Sequence, residues 1–466
     1  ERDRAYGLLK VASNSGFGTG FVVGGLLYEW VEVTVFLADG ADDNLIRTAG
    51  VSGEQTARWA LLGENAIFDG NGENQTTFDR NNDPDAIKNL GIRITNAREF
   101  TVSGIQMRNT NAWAIRAEQI EDARFEDLQF QQLSTFENTD GLNIIGPAEN
   151  FIVTDIEGLT DDDMIGIKCG DPDLFLDGDG GDVRRFSVSD IVHESAGGGA
   201  HAVRLLRGAT NASLEYGVLD NIISTDGNGA VEFGFVEVTG NKSDFQYISL
   251  NNIQSFGAPA VDINEDVRRI NITNVNTNVD PITIRSSCDY INVSGITQVG
   301  GNAPIVLTDG ASVFSLSVSD IMCAGTNGVF EMKGGSVLGL SLAHIRGKSP
   351  AGPVIDIDSG ASVEVGHVTD VDMRNCNTLF DVDGSFEGRA DNCYSETYVN
   401  QPYANLSGAT IVFGQRMPAF DSAPSNVLHS FVRASPNWDP DGDGNGEWVV
   451  SDGTAWQEVV DLPNWT

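Results

Sequence analysis

A six-residue pattern, apolar-x-apolar-x-x-apolar, recurs along most of this sequence and constrains its fold more than any other feature. Nine clear copies and two looser ones, 21 to 35 residues apart, end on the apolar residues at 105, 128, 156, 191, 222, 253, 275, 296, 321, 345 and 371. Alternation of apolar and polar residues within each copy is typical of a β-strand. Short strands repeated at such intervals stack as coils, and each coil buries its apolar side against the next.

The residue before the last apolar position belongs, in most copies, to a type that tolerates a positive φ angle. These residues are Gly104, Asp127, Asp155, Asp190, Asn221, Asn252, Asn274, Gly295, Asp320, His344 and Asp370. A positive φ allows a sharp bend between two strands. The sequence therefore predicts an all-β chain folded as a right-handed parallel β-helix. A β-sandwich with chance similarity between strands does not explain a turn-forming residue at one fixed place.

The repeat divides the chain into three predicted segments. Residues 1–91 are less regular and are interpreted as an N-terminal cap with the first coils. Residues 92–395 form the β-helix, and residues 396–466, which contain scattered Pro and aromatic residues, form a small C-terminal β module. Within that module, EWVVSDGTAWQEVVDL predicts a two-stranded hairpin over a Gly-containing turn. The longer steps between residues 128 and 253 predict inserted loops, where binding surfaces are commonly built.

The charge of the chain is strongly acidic, with 67 acidic and 28 basic residues and a net charge of -39. The charge is spread over the whole sequence, which favours adaptation to a saline habitat over a local patch for a basic partner. In molar salt the Debye length is about 3 Å, so the repulsion is screened. Such a charge disfavours nucleic-acid binding. No apolar run has membrane-spanning length, and the five Cys residues contain no CxxC pair, so we expect buried thiols.

Two acidic clusters each precede a short apolar strand. Asn138-Thr139-Asp140 precedes GLNII, and Asp161-Asp162-Asp163 precedes MIGIK. Asp140 and Asp163 are 23 residues apart, which is within the range of the repeat. We therefore expect the clusters to lie one above the other on the same face of the β-helix. Repulsion between stacked carboxylates raises at least one pKa, which gives a protonated acid beside an ionised base.

These motifs, in this order, resemble the polygalacturonase family of glycoside hydrolases within the pectin-lyase-like β-helices. The resemblance extends over roughly residues 20–205 and rests on ALLGENAIFDGNG, NTDGLNI, TDDDMIGIK and GGAHAVRLL. Met164 stands where the family usually has Cys, and Ala200 and Ala202 replace two glycines. The family's Arg-x-Lys signature, which grips the substrate carboxylate, is absent from GAVEFGF at 229–235, where Glu232 occurs. This departure counts against a polyuronate substrate more than against hydrolysis.

The resemblance implies an inverting glycoside hydrolase that acts on a polysaccharide and needs no cofactor. The resemblance implies that Asp162 is the general acid and that Asp140 and Asp163 hold and deprotonate the water. It also implies that His201 orders the surroundings of the acid. Taken singly, each residue also has a structural interpretation: a turn residue, a solvated acidic loop, or a satisfied histidine. The candidate substrate-binding residues are Asn138, Lys168 and Arg204, of which Lys168 or Arg204 could take the place of the missing Arg-x-Lys cations.

A second acidic segment near the C-terminus, DPDGDGN, is similar to the first half of an EF-hand loop. Val450 stands at the twelfth position, where an EF-hand has its bidentate Glu. The segment is thus either a Ca²⁺ site or a solvated loop. The candidate ligands are Asp439, Asp441, Asp443 and Asn445.

Three functions remain open from the sequence, and all three are extracellular. The first is a glycan-processing tail spike on a virus of a salt-loving host, because the DGTAW-type ending resembles the C-terminal segments of such spikes. A spike would form a homotrimer, contact other virion tail proteins and bind a host cell-surface glycan. The second is a free secreted polysaccharide hydrolase of a halophilic microbe. The third is a non-catalytic adhesin or receptor-binding β-helix, which the missing Arg-x-Lys favours.

Overall fold

The protein is described from a computed structural model, in which two compact units comprise Glu1–Asn264 and Glu265–Thr466. The described residues form strands, bends and turns and include no helix, so none of them belongs to a helix able to cross a membrane. They are residues 9–10, 22–23, 33–34, 46–49, 56–70, 91–110, 112–132, 139–170, 180–195, 200–207, 212–225, 229–235, 244–257, 259–348, 352–374, 376, 378–395, 403–404, 409–413, 419–420, 431–434, 448–451 and 456–458.

Most strands of the first unit pair in parallel with strands of the next coil, whereas β1 pairs with β2 and β3 with β4 in antiparallel fashion. Two series stack in it: β6, β7, β8, β10, β12 and β15, and the shorter strands β9, β11, β13 and β16. The strands are β1 (Leu9–Lys10), β2 (Val22–Val23), β3 (Val33–Thr34), β4 (Ile46–Ala49), β5 (Thr56–Asp69), β6 (Ile92–Arg108), β7 (Ile115–Gln131), β8 (Leu142–Thr160), β9 (Ile165–Lys168), β10 (Val183–Ser195), β11 (His201–Arg207), β12 (Ser213–Ser224), β13 (Gly229–Phe235), β14 (Asp244–Gln246), β15 (Ile248–Ser255) and β16 (Val261–Ile263).

The second unit repeats one long strand and one short strand per coil. The long strands β17 to β27 (odd numbers) stack in parallel, as do the short strands between them. The strands are β17 (Val267–Thr277), β18 (Ile282–Ile284), β19 (Ser287–Val299), β20 (Ile305–Leu307), β21 (Ser312–Ala324), β22 (Phe330–Met332), β23 (Ser336–Lys348), β24 (Ile355–Ile357), β25 (Ser362–Arg374), β26 (Phe380–Val382), β27 (Ser385–Ser395), β28 (Tyr403–Ala404), β29 (Ala409–Phe413), β30 (Ala419–Phe420), β31 (Phe431–Ala434), β32 (Trp448–Ser451) and β33 (Trp456–Glu458).

The apolar residues that close each repeat are cross-strand partners, as predicted. In the first unit the aligned and buried side chains are those of Ile105, Leu128, Ile156, Ile191, Ile222 and Ile253. In the second unit they are those of Val275, Ile296, Ile321, Ile345 and Val371. Constant register keeps the same residue type at the same place in every coil, so each apolar side chain packs on its equivalents. The predicted parallel β-helix is confirmed.

The bend before each closing residue is also confirmed, since all eleven predicted bend residues have φ between 53° and 73°. A second series of left-handed residues in the first unit was not predicted from the repeat. These residues stand at equivalent places on successive strands and have φ between 51° and 58°. They are Glu99, Asp122, Asn150, Arg185, Tyr216 and Tyr247. Arg185 Nε donates to Asn150 Oδ1 at 2.7 Å, and the rings of Tyr216 and Tyr247 stack with centroids 5.2 Å apart.

The predicted small C-terminal β module is represented by a separate four-stranded sheet of β30 to β33. Strands β32 and β33 pair antiparallel, which confirms the predicted hairpin. The acidic segment 439–445 lies outside the described residues, so the Ca²⁺ site stays a prediction, as do the segment boundaries at 91 and 395. The thiols of all five cysteines are buried, as expected from the sequence.

Candidate active site

The residues of the candidate active site sit in the turns that lead into β8, β9 and β11, one above the other. Gly141 N donates to Asp163 O at 3.0 Å, and Met164 N donates to His201 O at 2.9 Å. These backbone hydrogen bonds join the turn of Asp140 to the turn of Asp163, and that turn to His201. Three residues that are far apart in the sequence therefore occupy successive coils at one edge of the first unit.

Asp140 is a buried carboxylate, with 2% of its surface exposed. Its Oδ2 accepts a hydrogen bond of 2.7 Å from Asn143 Nδ2, whereas its Oδ1 is buried without a hydrogen-bond partner. Burial raises the pKa of Asp140 well above its ordinary value, and the charges of Asp162 and Asp163 raise it further. Lys168 and Asn143 lower the pKa of Asp140 without outweighing its burial. Asp140 is thus a protonatable group with one acceptor oxygen available.

Asp162 is half-buried and has the pKa of a proton donor that works near neutrality. Burial raises its pKa to about 6, and the neighbouring charge of Asp163 acts in the same direction against Lys168 and Arg204. Its Oδ1 accepts a hydrogen bond from Asp163 N at 3.0 Å, and Thr160 Oγ1 donates to its backbone carbonyl. The backbone of the turn therefore holds this side chain in place.

Asp163 is held ionised by the donors around it. His201 donates from its backbone N at 3.2 Å and from its ring Nδ1 at 3.1 Å to Asp163 Oδ1, and Arg204 lies 3.5 Å from Asp163 Oδ2. Burial opposes ionisation, but the His201 hydrogen bond and the Arg204 charge outweigh it, so the pKa of Asp163 is lowered. Burial also opposes protonation of His201, yet Asp163 and Glu232 raise the pKa of its imidazole.

A row of polar positions crosses five adjacent strands beside these carboxylates. Cross-strand pairing aligns Arg116, Asn143, Gly166, Arg204 and Glu232. A Cβ added at Gly166 would lie 2.8 Å from Asn143 Nδ2 and 3.2 Å from Asp140 Oδ2. The missing side chain therefore leaves room for the amide–carboxylate hydrogen bond described above.

Several residues of the site were missed by sequence reasoning, namely Trp113, Arg116, Glu118 and Asn143. The Nζ atom of Lys168 lies 5.3 Å from the centroid of the Trp113 ring, and the guanidinium carbon of Arg116 lies 4.9 Å from it. Arg116 also forms an ion pair with the fully buried Glu118. The only available signal was proximity: Asn143 follows Asp140 by three residues in NTDGLN.

The structure brings most of the predicted site residues together. They are Asp140, Asp162, Asp163, Lys168, His201 and Arg204. Asn138 lies outside the described residues, and so do the four proposed calcium ligands. Within the part of the chain that the structure describes, no group of three or more His, Cys, Asp or Glu side chains is placed to hold a metal ion. The catalytic and binding roles themselves stay predictions.

Comparison with known proteins connects this geometry to one family. Residues 33–178 match the model of glycosyl hydrolases family 28. This segment, which is less than half of the chain, is similar to that family. The matched segment includes the turns of Asp140 and Asp163, whereas His201 and Arg204 follow it.

One solved structure is similar to this chain, a hyperthermoactive exopolygalacturonase from Thermotoga maritima, with 16% sequence identity and a TM-score of 0.26. The match covers 54% of this chain and 52% of that enzyme, so it spans about half of either protein. No curated protein matches the sequence.

Proposed function

We propose that this protein is an inverting glycoside hydrolase that cleaves a polysaccharide. The observation that carries the proposal is the pairing of unlike carboxylates in one site. Asp162 has a pKa of about 6, whereas the pKa of Asp163, on the adjacent residue, is lowered. Two carboxyl groups whose environments drive their pKa values apart are suited to serve as acid and base in one reaction.

In the proposed mechanism, Asp162 gives its proton to the glycosidic oxygen as the bond to the leaving sugar breaks. A water held at Asp140 Oδ1, the buried oxygen without a partner, attacks the anomeric carbon from the opposite face. The water loses its proton to the pair of Asp140 and Asp163, whose charges act on each other. His201 and Arg204 keep Asp163 ionised while this happens.

The test compares Asp162→Asn with Asp161→Asn. Asp161 belongs to the same acidic cluster, but burial alone raises its pKa. We expect Asp162→Asn to lower kcat by about 10²–10⁴-fold, since it removes the donated proton. The matched variant should stay within a few-fold of wild type, about the scatter of a surface change. The readout is new reducing ends from a panel of polysaccharides in high salt.

Two results would count against hydrolysis. If wild type releases no reducing ends but still binds a glycan, the protein is a non-catalytic binding β-helix. If Asp162→Asn and Asp161→Asn are equally active, the acid is a different residue.

We further propose that the hydrolase is the tail spike of a virus of a salt-loving host, where it binds a cell-surface glycan and contacts other virion tail proteins. The dispersed net charge of -39 supports a saline habitat, and the DGTAW ending resembles segments of such spikes. Sedimentation in molar salt distinguishes the alternatives. A homotrimer is expected for a spike, whereas a monomer favours a free secreted hydrolase of a halophilic microbe.

A further inference from the structure

We propose that the site accepts an uncharged, hydroxyl-rich glycan and rejects a polyuronate, and that Glu232 is the residue that sets this preference. The inference rests on the proposed hydrolase function and names the substrate class of the same site. It is carried by the positions of the cations and carboxylates around Glu232.

Arg204 is a cation of the site that lies between two carboxylates. Its guanidinium is 3.5 Å from Asp163 Oδ2 and 2.5 Å from Glu232 Oε2. The second contact is an ion pair by distance without hydrogen-bond alignment. A uronate carboxylate entering here would compete with Asp163 and Glu232 for the guanidinium of Arg204. The negative charges of these two carboxylates would also repel it.

The other cations of the site are also matched by acids of this protein. Lys168 lies among Asp140, Asp162 and Asp163 and opposes the rise in pKa of the first two. Arg116 pairs with Glu118, and Glu118 also lies 3.3 Å from a guanidinium nitrogen of Arg93. Thus each cation of the described site already faces a carboxylate, so a substrate carboxylate would displace an existing partner.

The polar row continues past Glu232 with a further acid, Asp262, on the next strand. Asn264 Nδ2 donates hydrogen bonds to both acids, at 2.7 Å to Glu232 Oε1 and at 3.3 Å to Asp262 Oδ2. This end of the row therefore offers carboxylate oxygens. Sugar hydroxyls donate readily to such acceptors, and hydrogen bonds to a charged acceptor are the stronger kind. A sugar carboxylate has no proton to donate there.

The experiment uses pairs of polymers that differ only in charge. Pullulan, starch, galactomannan and carboxyl-reduced polygalacturonate are each compared with the form that carries a carboxylate at C6. Binding is measured by affinity electrophoresis and hydrolysis by reducing ends, both at one fixed salt concentration because salt screens the repulsion. We expect wild type to bind at least one neutral polymer, and to bind its carboxylated form about tenfold or more weakly.

Glu232→Gln should narrow that difference about tenfold, because the amide keeps the shape and the contact with Asn264 but removes the charge. The matched control is Glu126→Gln, since Glu126 also pairs with an arginine, Arg124, on a different row. The control should leave the preference unchanged. Circular dichroism checks that both variants fold.

The outcomes separate the two proposals. Equal or tighter binding of the carboxylated polymers by wild type overturns the assignment of a neutral glycan, and so does failure to bind any neutral polymer. An unchanged preference in Glu232→Gln overturns the role of Glu232. Selective binding of neutral polymers without any reducing ends overturns hydrolysis instead and leaves the substrate class standing.

Discussion

His201 Nδ1 lies 3.1 Å from Asp163 Oδ1, and the backbone N of the same histidine donates to the same oxygen at 3.2 Å. The two residues are separated by 38 positions in the sequence and are joined only because their coils are adjacent. A carboxylate that accepts two hydrogen bonds in a buried place stays ionised at a lower pH. The contact thus links the stacking of coils directly to the protonation state of the proposed base.

The first prediction concerns the acidic side of the pH profile. His201→Ala removes the ring donor and its positive charge, so the pKa of Asp163 rises. Asp163 must be ionised to act, and its ionised fraction is lost as the pH falls through its pKa. The acidic limb of kcat/KM should therefore move to higher pH, with a loss of about 10²-fold or more at the optimum.

The control for this experiment is His367→Ala, an exposed histidine whose Nε2 lies 3.4 Å from Asp391 Oδ2. It removes a similar contact far from the site in sequence and should leave the limb in place. An acidic limb that does not move in His201→Ala would show that Asp163 is not the group that must be ionised.

The second prediction concerns the alkaline side. Asp162 must be protonated, and its pKa is about 6, so kcat/KM should fall as the pH rises above about 6. Lys168 lowers the pKa of Asp162, so Lys168→Met should raise that pKa and move the alkaline limb to higher pH while keeping an unbranched side chain at this position. Lys333→Met, which removes a lysine 3.5 Å from Glu331, is the control. A shift to lower pH would contradict the assignment.

The third prediction tests the space around Asp140. In Gly166→Ala the new Cβ would stand 2.8 Å from Asn143 Nδ2 and 3.2 Å from Asp140 Oδ2. The amide must move, and the carboxylate with it, so kcat/KM should fall about 10²-fold, as small misplacements in a site do. In Gly339→Ala the Cβ meets one atom at 3.5 Å, an ordinary contact, and activity should persist. Equal activity in the two variants would mean that the position of Asp140 does not matter.

The parallel β-helix could be predicted from the sequence because the repeat places residues such as Asn221 and Asp320 at fixed positions. Each stands at the same place in its coil, and each is of a type that accepts the left-handed bend found there. The second series of bends escaped prediction because Arg185, Tyr216 and Tyr247 are not bend-forming types. Their conformation follows from stacking on the coil below, which a single copy of the repeat does not reveal.

The site was readable only in part. Asp140, Asp162 and Asp163 were found because acids accumulate directly before strands. Glu118 and Trp113 were not, because a buried acid and a buried aromatic residue in a strand pattern are read as ordinary strand residues. Their contact with the cations of the site depends on register across coils, and that register is fixed only when the insertions between coils are known.

The fourth prediction concerns the support beneath the proposed acid. Thr160 and His193 are fully buried, and His193 Nε2 lies 3.0 Å from Thr160 Oγ1. The Thr160 hydroxyl donates its hydrogen bond to the backbone carbonyl of Asp162. The hydroxyl oxygen therefore accepts the hydrogen bond from His193 Nε2. Thr160→Val removes the hydrogen bonds to the Asp162 carbonyl and to His193 Nε2, at a cost of about 1–3 kcal/mol in unfolding free energy.

The same change should lower kcat, since the turn of Asp162 loses its anchor. Thr160→Ser keeps the hydroxyl and should restore both stability in urea unfolding and kcat. If the valine variant loses stability but keeps the wild-type pH profile and kcat, the hydrogen bond supports the fold and does not position the acid.

The fifth prediction separates backbone strain from side-chain bonding in the bends. Asn221 has φ of 56°, donates to Asp190 Oδ1 at 2.8 Å and accepts from Asn252 Nδ2 at 3.0 Å. Asn221→Val loses these two side-chain hydrogen bonds and places a β-branched residue in the left-handed region. The strained backbone costs about 1–2 kcal/mol more than the loss of the hydrogen bonds alone.

The control is Asn271, which accepts a similar hydrogen bond of 3.0 Å from Asn292 within an ordinary strand, so Asn271→Val loses a hydrogen bond without the strain. Urea unfolding should therefore find Asn221→Val the less stable of the two, with Asn221→Gly between them because glycine adopts the bend freely. Equal losses for the two valine variants would mean that left-handed φ values are not what restricts the bend positions to Gly, Asp, Asn and His.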